Sequence, residues 1–279
     1  MKNKKCSRTI IYDDNCPLCS WYTGAFVQSG LLAEEGRLPF SSLPPELLQQ
    51  IDYARGKNEI PLIDHQSGKV LYGIDALVSI LGQRCPIVRL TGRWKPVNWL
   101  LKKLYNFISY NRKVIVARST TPGTVDCTPD FRLDYRVVFM LVFLLFNTIM
   151  LFPVHSLLLQ KLPYCTISLV EFHVVHAVIV LVNCLLALTL PFKKGVEYLG
   201  QVNMLALITL LLLLPLMALN NWVGNLGWFN YVCLAAVTVL VVEEYVRRMH
   251  YAGILLQYEK IVAANFISLF ALVGSLFVL

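Results

Sequence analysis

The chain has 279 residues, 56% of them hydrophobic and only 15% charged, with a mean hydropathy of +0.58 and a formal net charge of +8. That balance excludes a disordered or wholly water-soluble chain. Eight cysteines scattered through both halves do not make a secreted disulfide framework, and the basic excess comes with no nucleic-acid-binding motif.

The start, Met1 to Ile10, is basic but leads into a short strand rather than an apolar run, so no cleavable signal peptide is expected. Thr9 to Tyr12 reads as a buried strand. Asp13-Asp14-Asn15-Cys16-Pro17-Leu18-Cys19 follows, and a helix is expected from Leu18 to about Gln28, with Trp21, Tyr22, Ala25 and Phe26 as its apolar face. A strand turning straight into a Cys-x-x-Cys helix has the shape of a thioredoxin-like redox site. Pro17 suits the first helical position. Cys16 then sits at the helix N-terminus, where unpaired N–H groups and the helix dipole favour a thiolate, and Cys19 lies one turn on. Half of a zinc site, or two core cysteines, are the alternatives; a zinc site needs a second ligand pair, which the first half of the chain lacks.

Leu38-Pro39-Phe40 reads as a short edge strand, and a helix opens at Ser41–Pro45 and runs through Leu47, Leu48 and Ile51. Glu59 to Asp64 and Val70 to Gly73 form a hairpin around His65-Gln66-Ser67-Gly68-Lys69, and Asp75 to Leu81 a short amphipathic helix. The order β-α-β-α-β-β-α is that of a thioredoxin fold. In such folds a cis-proline before the second β-pair faces the cysteines; Pro61 is the candidate, with a trans edge-strand proline as the alternative. Trp94 to Tyr110 is amphipathic at helical spacing, with Lys102 and Lys103 on one side, and suits either packing on the core or lying on a membrane surface. Arg118 to Asp130 is a polar, Pro- and Gly-containing linker.

Tyr12-Asp13-x-x-Cys16-Pro17-Leu18-Cys19, the element Val70-Leu71-Tyr72-Gly73-Ile74-Asp75-Ala76-Leu77, then Tyr105 and Asn111-Arg112, together resemble the thiol-disulfide oxidoreductase DCC family, whose members are mostly bacterial. The resemblance spans roughly Ser7 to Val116. It implies a thioredoxin-like fold and dithiol–disulfide activity carried by Asp13, Cys16 and Cys19. The family usually has Gly after the Asp, where this chain has Asp14; that carboxylate is expected to raise the Cys16 thiol pKa and oppose the helix N-terminus.

From Tyr135 onward, apolar runs approach the ~20 residues that cross a bilayer. Five spans are expected: Tyr135–Phe152, Ile167–Leu190, Val196–Leu219, Gly227–Val242 and Ile261–Leu279. Arg112, Lys113, Arg118, Arg132 and Arg136 precede the first span. Lys193 and Lys194 follow the second, and Arg247, Arg248 and Lys260 the fourth, whereas the opposite connectors hold only Lys161. The excess of cations on one side puts the N-terminal domain in the cytoplasm and the C-terminus outside, in a bacterial inner membrane on the family resemblance.

The second expected span carries Glu171, His173 and His176. His173, His176 and Asn183 share a face, and Glu171 points nearly opposite His173, so a three-ligand metal site from this helix is not expected. The two histidines could meet a haem or a quinone, or take part in interhelical polar pairing with Asn183, Asn147 and Asn203. Cys165 and Cys233 could close an outer disulfide, or simply pack as small apolar residues.

The expectation is therefore an α/β thioredoxin-like N-terminal domain over residues 1–117, a linker over 118–134 and an all-α transmembrane bundle of about five helices over 135–279. Cys16 attacks a disulfide, Cys19 resolves it, Asp13 positions the turn or handles protons, and Trp21 and Pro61 border the substrate. The dithiol needs no cofactor. The expected partners are a disulfide- or thiol-bearing protein or small thiol, and the lipid bilayer, with no nucleic acid. The alternative is a redox-sensing or adaptor domain on a quinone-, lipid- or partner-binding bundle.

Overall fold

The computed structural model describes residues 7–118, 127–224 and 226–275. The basic N-terminal stretch through Cys6, most of the expected linker and the last four residues of the expected fifth span lie outside them. The chain divides into two units, Met1–Tyr135 and Arg136–Leu279.

The first unit is built on a four-stranded sheet in the order β2-β1-β3-β4. β1 (Arg8–Tyr12) pairs in parallel with β2 (Arg37–Pro39) and antiparallel with β3 (Pro61–Asp64), which pairs antiparallel with β4 (Lys69–Tyr72). β1 is apolar without alternation because both faces are covered. Ile10 and Leu62 turn into one core with Cys16, Cys19, Ile60 and Ala76, and Ile11 and Ile63 into a second with Phe40, Ile51 and Cys127. The order of elements is the expected β-α-β-α-β-β-α, with α1 (Pro17–Gln28), the short α2 (Pro45–Leu48) and α3 (Tyr53–Gly56), and α4 (Gly73–Leu81).

Pro61 corrects the first expectation. All described peptide bonds, Ile60–Pro61 among them, are trans. Pro61 is buried as the first residue of a central strand, opposite Tyr72, where a missing N–H removes no ladder bond. Neither a cis-proline nor an edge-strand proline describes it. The face of α1 is a second correction. Tyr22 and Phe26 pack on the core, and Thr23 is buried with its hydroxyl donating to the Cys19 carbonyl at 2.7 Å, while Trp21 is 72% exposed and Ala25 also faces outward.

After α4 the chain forms α5 (Pro86–Arg93) and the 22-residue α6 (Lys95–Val116), which runs six residues past the end of the expected amphipathic segment. The extra turns contain no breaker, and their buried residues include Asn111, Arg112, Lys113 and Val114. Beyond α6 the end of the expected linker is fixed on this unit. Asp130 pairs with Lys57 at 2.6 Å and accepts from Asn58 Nδ2 at 2.8 Å.

The second unit consists of α7 (Leu133–Leu157, which begins in the first unit), α8 (Leu169–Leu188), α9 (Phe192–Val223), α10 (Phe229–Tyr251) and α11 (Glu259–Ser275). Among the described residues four of these are long and apolar enough to cross a membrane, and α11 is the shorter fifth. α9 is the inner helix, burying Leu205, Leu210, Leu213, Leu216 and Met217. α10 outruns its apolar stretch because Glu244 pairs with Arg247 at 2.6 Å and with Arg248 at 2.8 Å along the helix.

The polar groups of this unit mostly find one another. Glu171 is an N-terminal cap, its carboxylate accepting from the Ser168 N–H at 2.8 Å. His173 Nδ1 lies 2.8 Å from the Leu169 carbonyl, and His176 Nε2 lies 3.2 Å from Thr148 Oγ1 on α7. Asn147 Nδ2 donates to Asn203 Oδ1 at 3.2 Å. Asn183 Oδ1 accepts from Tyr198 OH at 2.6 Å and from Asn265 Nδ2 at 2.7 Å, tying α8, α9 and α11 together. Cys165 and Cys233 are both free, and Cys233 packs among apolar side chains.

Candidate active site

The strand β1 ends at Tyr12, and the next three residues form a tight turn. The Asn15 N–H donates to Asp13 Oδ1 at 3.0 Å and the Cys16 N–H to the Asp13 carbonyl at 3.1 Å. The short Asp side chain folds back on its own backbone, a conformation that competes with continued strand. Pro17 then starts α1, with Cys16 as its N-cap in extended geometry. Where a serine or aspartate oxygen would ordinarily cap, Cys16 Sγ accepts the Cys19 N–H at 3.4 Å. Local sequence alone thus aims an amide and the positive end of α1 at one sulfur.

That sulfur is acidified. The Cys19 thiol donating to it is the largest cause, burial opposes, and the Cys19 N–H and the Arg112 charge add to the lowering, which brings the Cys16 pKa to about 6. Asp13 works against the thiolate. Cys19 moves the opposite way, its pKa raised by the same sulfur–sulfur hydrogen bond and by burial. The two thiols are therefore driven apart in acidity, Cys16 downward and Cys19 upward. Both are free and buried, with 3% exposure at Cys16 and 6% at Cys19.

Arg112, which the family resemblance includes without giving it a role, is the third charged group of the site. It arrives from α6, 99 positions beyond Asp13, and its Nη2 lies 3.3 Å from Asp13 Oδ2. The same nitrogen donates to the Lys57 carbonyl at 2.8 Å and to the Cys127 carbonyl, while the buried Nε of Arg112 has no acceptor among the described residues. Burial pulls the guanidinium pKa down, yet the Cys19, Asp13 and Cys16 charges outweigh it and hold the group charged. Asp13 in turn has its pKa raised by burial, with Arg112 and Lys113 restraining the rise. The Asn111-Arg112 pair is visible in the sequence as part of the family resemblance and as a charge near a membrane span, but not as a buried counter-ion.

Two further contacts seat α6 against the site. Tyr105 OH accepts the Ile60 N–H at 2.9 Å, and the Ile60 carbonyl accepts the Gly73 N–H at 2.9 Å, so the peptide before Pro61 is held on both sides. Gly73 has φ +57°, and a Cβ there would lie 3.0 Å from Tyr105 Cε1, so this position requires glycine twice over. On the other side of α1, Arg37 donates to Thr23 Oγ1 at 2.9 Å and to the Ser20 carbonyl at 3.0 Å, with its guanidinium 4.0 Å above the Tyr12 ring.

Of the residues expected at the site, Cys16, Cys19 and Asp13 come together. Trp21 stands in solvent two residues beyond Cys19, about half a turn around α1, and Pro61 is buried in the sheet. The carboxylate opposing the thiolate is Asp13, rather than the half-buried Asp14. His173 and His176 belong to the second unit. Among the described residues no group of three or more His, Cys, Asp or Glu side chains is placed to hold a metal ion.

No curated protein and no solved structure is significantly similar to this chain. Residues 10–118 match the family model described as DCC1-like thiol-disulfide oxidoreductase, a stretch that includes Asp13, both cysteines, Tyr105 and Arg112. The chain therefore carries a DCC1-like thiol-disulfide oxidoreductase domain over residues 10–118, ahead of four helices long and apolar enough to cross a membrane.

Proposed function

We propose that the protein is a membrane-anchored thiol-disulfide oxidoreductase working through Cys16 and Cys19 on the cytoplasmic face. The observation that carries this reading is the division of labour between the two thiols, with Cys16 acidified to about 6 and Cys19 protonated. The Cys16 thiolate attacks one sulfur of a substrate disulfide, forming a mixed disulfide and releasing the other sulfur as a thiolate that takes up a proton. Cys19 then loses its proton and attacks Cys16 Sγ, so that the substrate leaves as a dithiol and the protein keeps a Cys16–Cys19 disulfide. Two electrons and two protons pass to the substrate, and the reverse sequence oxidises it. Asp13, whose raised pKa favours taking up a proton, is the nearby base for Cys19, and Arg112 offsets the charge on either group. Substrates are a disulfide-bearing protein or small thiol, with the exposed Trp21 as an apolar contact at the rim.

The cytoplasmic placement rests on the cation count at the helix connectors. Arg112 and Lys113 drop out of that count because they are buried in the first unit. Arg248, buried in the second unit, drops out likewise, and Lys193, Lys194, Arg247 and Lys260 still stand on one side against Lys161 on the other, in keeping with a bacterial inner membrane. A reporter active only in the cytoplasm, fused after Leu279, is expected to be silent; an active one overturns this orientation.

The burial of both sulfurs favours a second reading, a redox sensor that small oxidants reach and protein disulfides do not. Cys19→Ser separates the two. Turnover predicts that this variant accumulates mixed disulfides on Cys16, whereas a sensor cycles only its internal disulfide. Retention of full exchange activity by Cys16→Ser overturns both.

A further inference from the structure

α5 is turned the wrong way round for a helix of a soluble domain. Its inner side is small and polar: a Cβ on Gly92 would lie 2.8 Å from Val78, and one on Gly82 2.8 Å from Arg89 Cβ. Its apolar side faces out, leaving Ile87 70% and Leu90 77% exposed. The first half of α6 continues this surface. Trp94, Trp99 and Leu100 are exposed, and Leu100, Leu104 and Ile108 follow one another at four-residue spacing along the outer stripe. Lys103 Nζ lies 6.0 Å from the Trp99 ring, placing a long basic side chain beside the aromatic.

The charge around this patch has one sign. From Ala76 to Val125 the sequence contains no Asp or Glu, while Arg84, Arg89, Arg93, Lys95, Lys102 and Lys103 lie on or beside α5 and α6. Behind α5 is a cavity of about 220 Å³ whose lining includes Arg8, Arg89, Arg93, Asn98 and Asp75. The one carboxylate there, Asp75, is matched by Lys102 at 2.9 Å.

We propose that the face made by α5 and the first half of α6 docks on an anionic lipid surface. Leu90, Ile87, Trp99 and Leu100 enter the headgroup–acyl boundary, tryptophan suits that depth, and the basic side chains reach lipid phosphates from its margin. A protein partner would need an acidic rim to suit this charge, whereas an anionic leaflet supplies it everywhere. The chain itself keeps a bilayer at hand, because the membrane-capable α7 begins at Leu133, within about twenty residues of the end of α6 at Val116. Tethering of this kind makes even a weak surface contact populated.

The test uses the full chain in nanodiscs of phosphatidylcholine alone or of an equal mixture with phosphatidylglycerol. Leu90→p-benzoylphenylalanine places a photo-crosslinker at the centre of the patch, and Leu48→p-benzoylphenylalanine, at another exposed site, is the control. Irradiation is expected to give phospholipid adducts at position 90 about tenfold more often in the phosphatidylglycerol discs than in the neutral ones, and only background at position 48. Because each basic side chain near an anionic surface strengthens binding about fivefold, Arg89→Gln with Arg93→Gln, Lys95→Gln and Lys103→Gln should abolish that excess while Cys16 alkylation is retained. Equal lipid yield in the two discs, or adducts at position 90 to protein instead of lipid, whether its own chain or a second copy, overturns the proposal.

Discussion

The acidity of Cys16 can be worked into a pH profile. With a pKa of about 6, the thiol is about nine-tenths ionised at pH 7, against about 3% for an ordinary cysteine near 8.5. The roughly thirtyfold gain is mostly offset, because nucleophilicity falls with basicity at a slope of about 0.4–0.5, or about tenfold over this interval. The net advantage at pH 7 is only about threefold. At pH 5 it grows to about thirtyfold, and at pH 9, where an ordinary thiol is also ionised, Cys16 should be about eightfold slower. Burial of the sulfur lowers every rate by a common factor and drops out of the midpoint. Alkylation of Cys16 in the full chain, followed peptide by peptide with iodoacetamide, should therefore titrate with a midpoint near pH 6. Since the Cys19 thiol is the largest cause of the shift and the Arg112 charge a lesser one, Cys19→Ala should raise the midpoint more than Arg112→Gln, and both should raise it. A wild-type midpoint at or above ~8.5, or a larger shift in Arg112→Gln, refutes this account of the site.

Three other outcomes are expected. Asp13→Asn keeps the turn acceptor but removes the charge that opposes the thiolate, so the Cys16 midpoint should fall. The same change leaves Arg112 short of a buried partner, and thermal unfolding in detergent should register a loss toward the low end of ~3–5 kcal/mol, since two carbonyls still hold the guanidinium. Gly73→Ala forces a side chain into φ +57° against Tyr105 and should cost about 1–3 kcal/mol by the same measurement, with hydrogen exchange at Ile60 rising as its partner is displaced. In the second unit, Asn183→Leu removes the acceptor for both Tyr198 and Asn265 and should destabilise by about 1 kcal/mol in denaturing-detergent titration, more than Tyr198→Phe, which loses one of the two bonds.

What was legible in the sequence was whatever local physics decides. The run from Thr9 to Tyr12, the Asp turn, Pro17 and the Cys-x-x-Cys spacing lie within a few residues of one another, and the strand, turn and helix follow from them directly. The hairpin at Pro61–Asp64 and Lys69–Tyr72 was equally local, its turn marked by Gly68. The four long apolar helices were found from hydropathy, but their ends were not. Salt bridges such as Glu244 with Arg248 carry a helix past its apolar stretch, and hydropathy does not see them. Trp21 was misassigned because apolar character predicts burial only on average, and α1 turns Tyr22 and Phe26 inward instead. Arg112 was legible as part of the family resemblance, but its role was not. Nothing within its neighbourhood in sequence separates a buried counter-ion from a charge flanking a membrane span, and only the fold brings it to Asp13.

The remoteness of Arg112 also orders events during synthesis. The Cys19 amide can aim at Cys16 as soon as α1 forms, but the guanidinium that steadies both Asp13 and the thiolate is translated almost a hundred residues later and acts only after α6 has docked. A growing chain therefore carries two cysteines whose acidity lacks the Arg112 contribution. The last part of the Cys16 acidity, and the counter-ion of Asp13, come only with the finished domain.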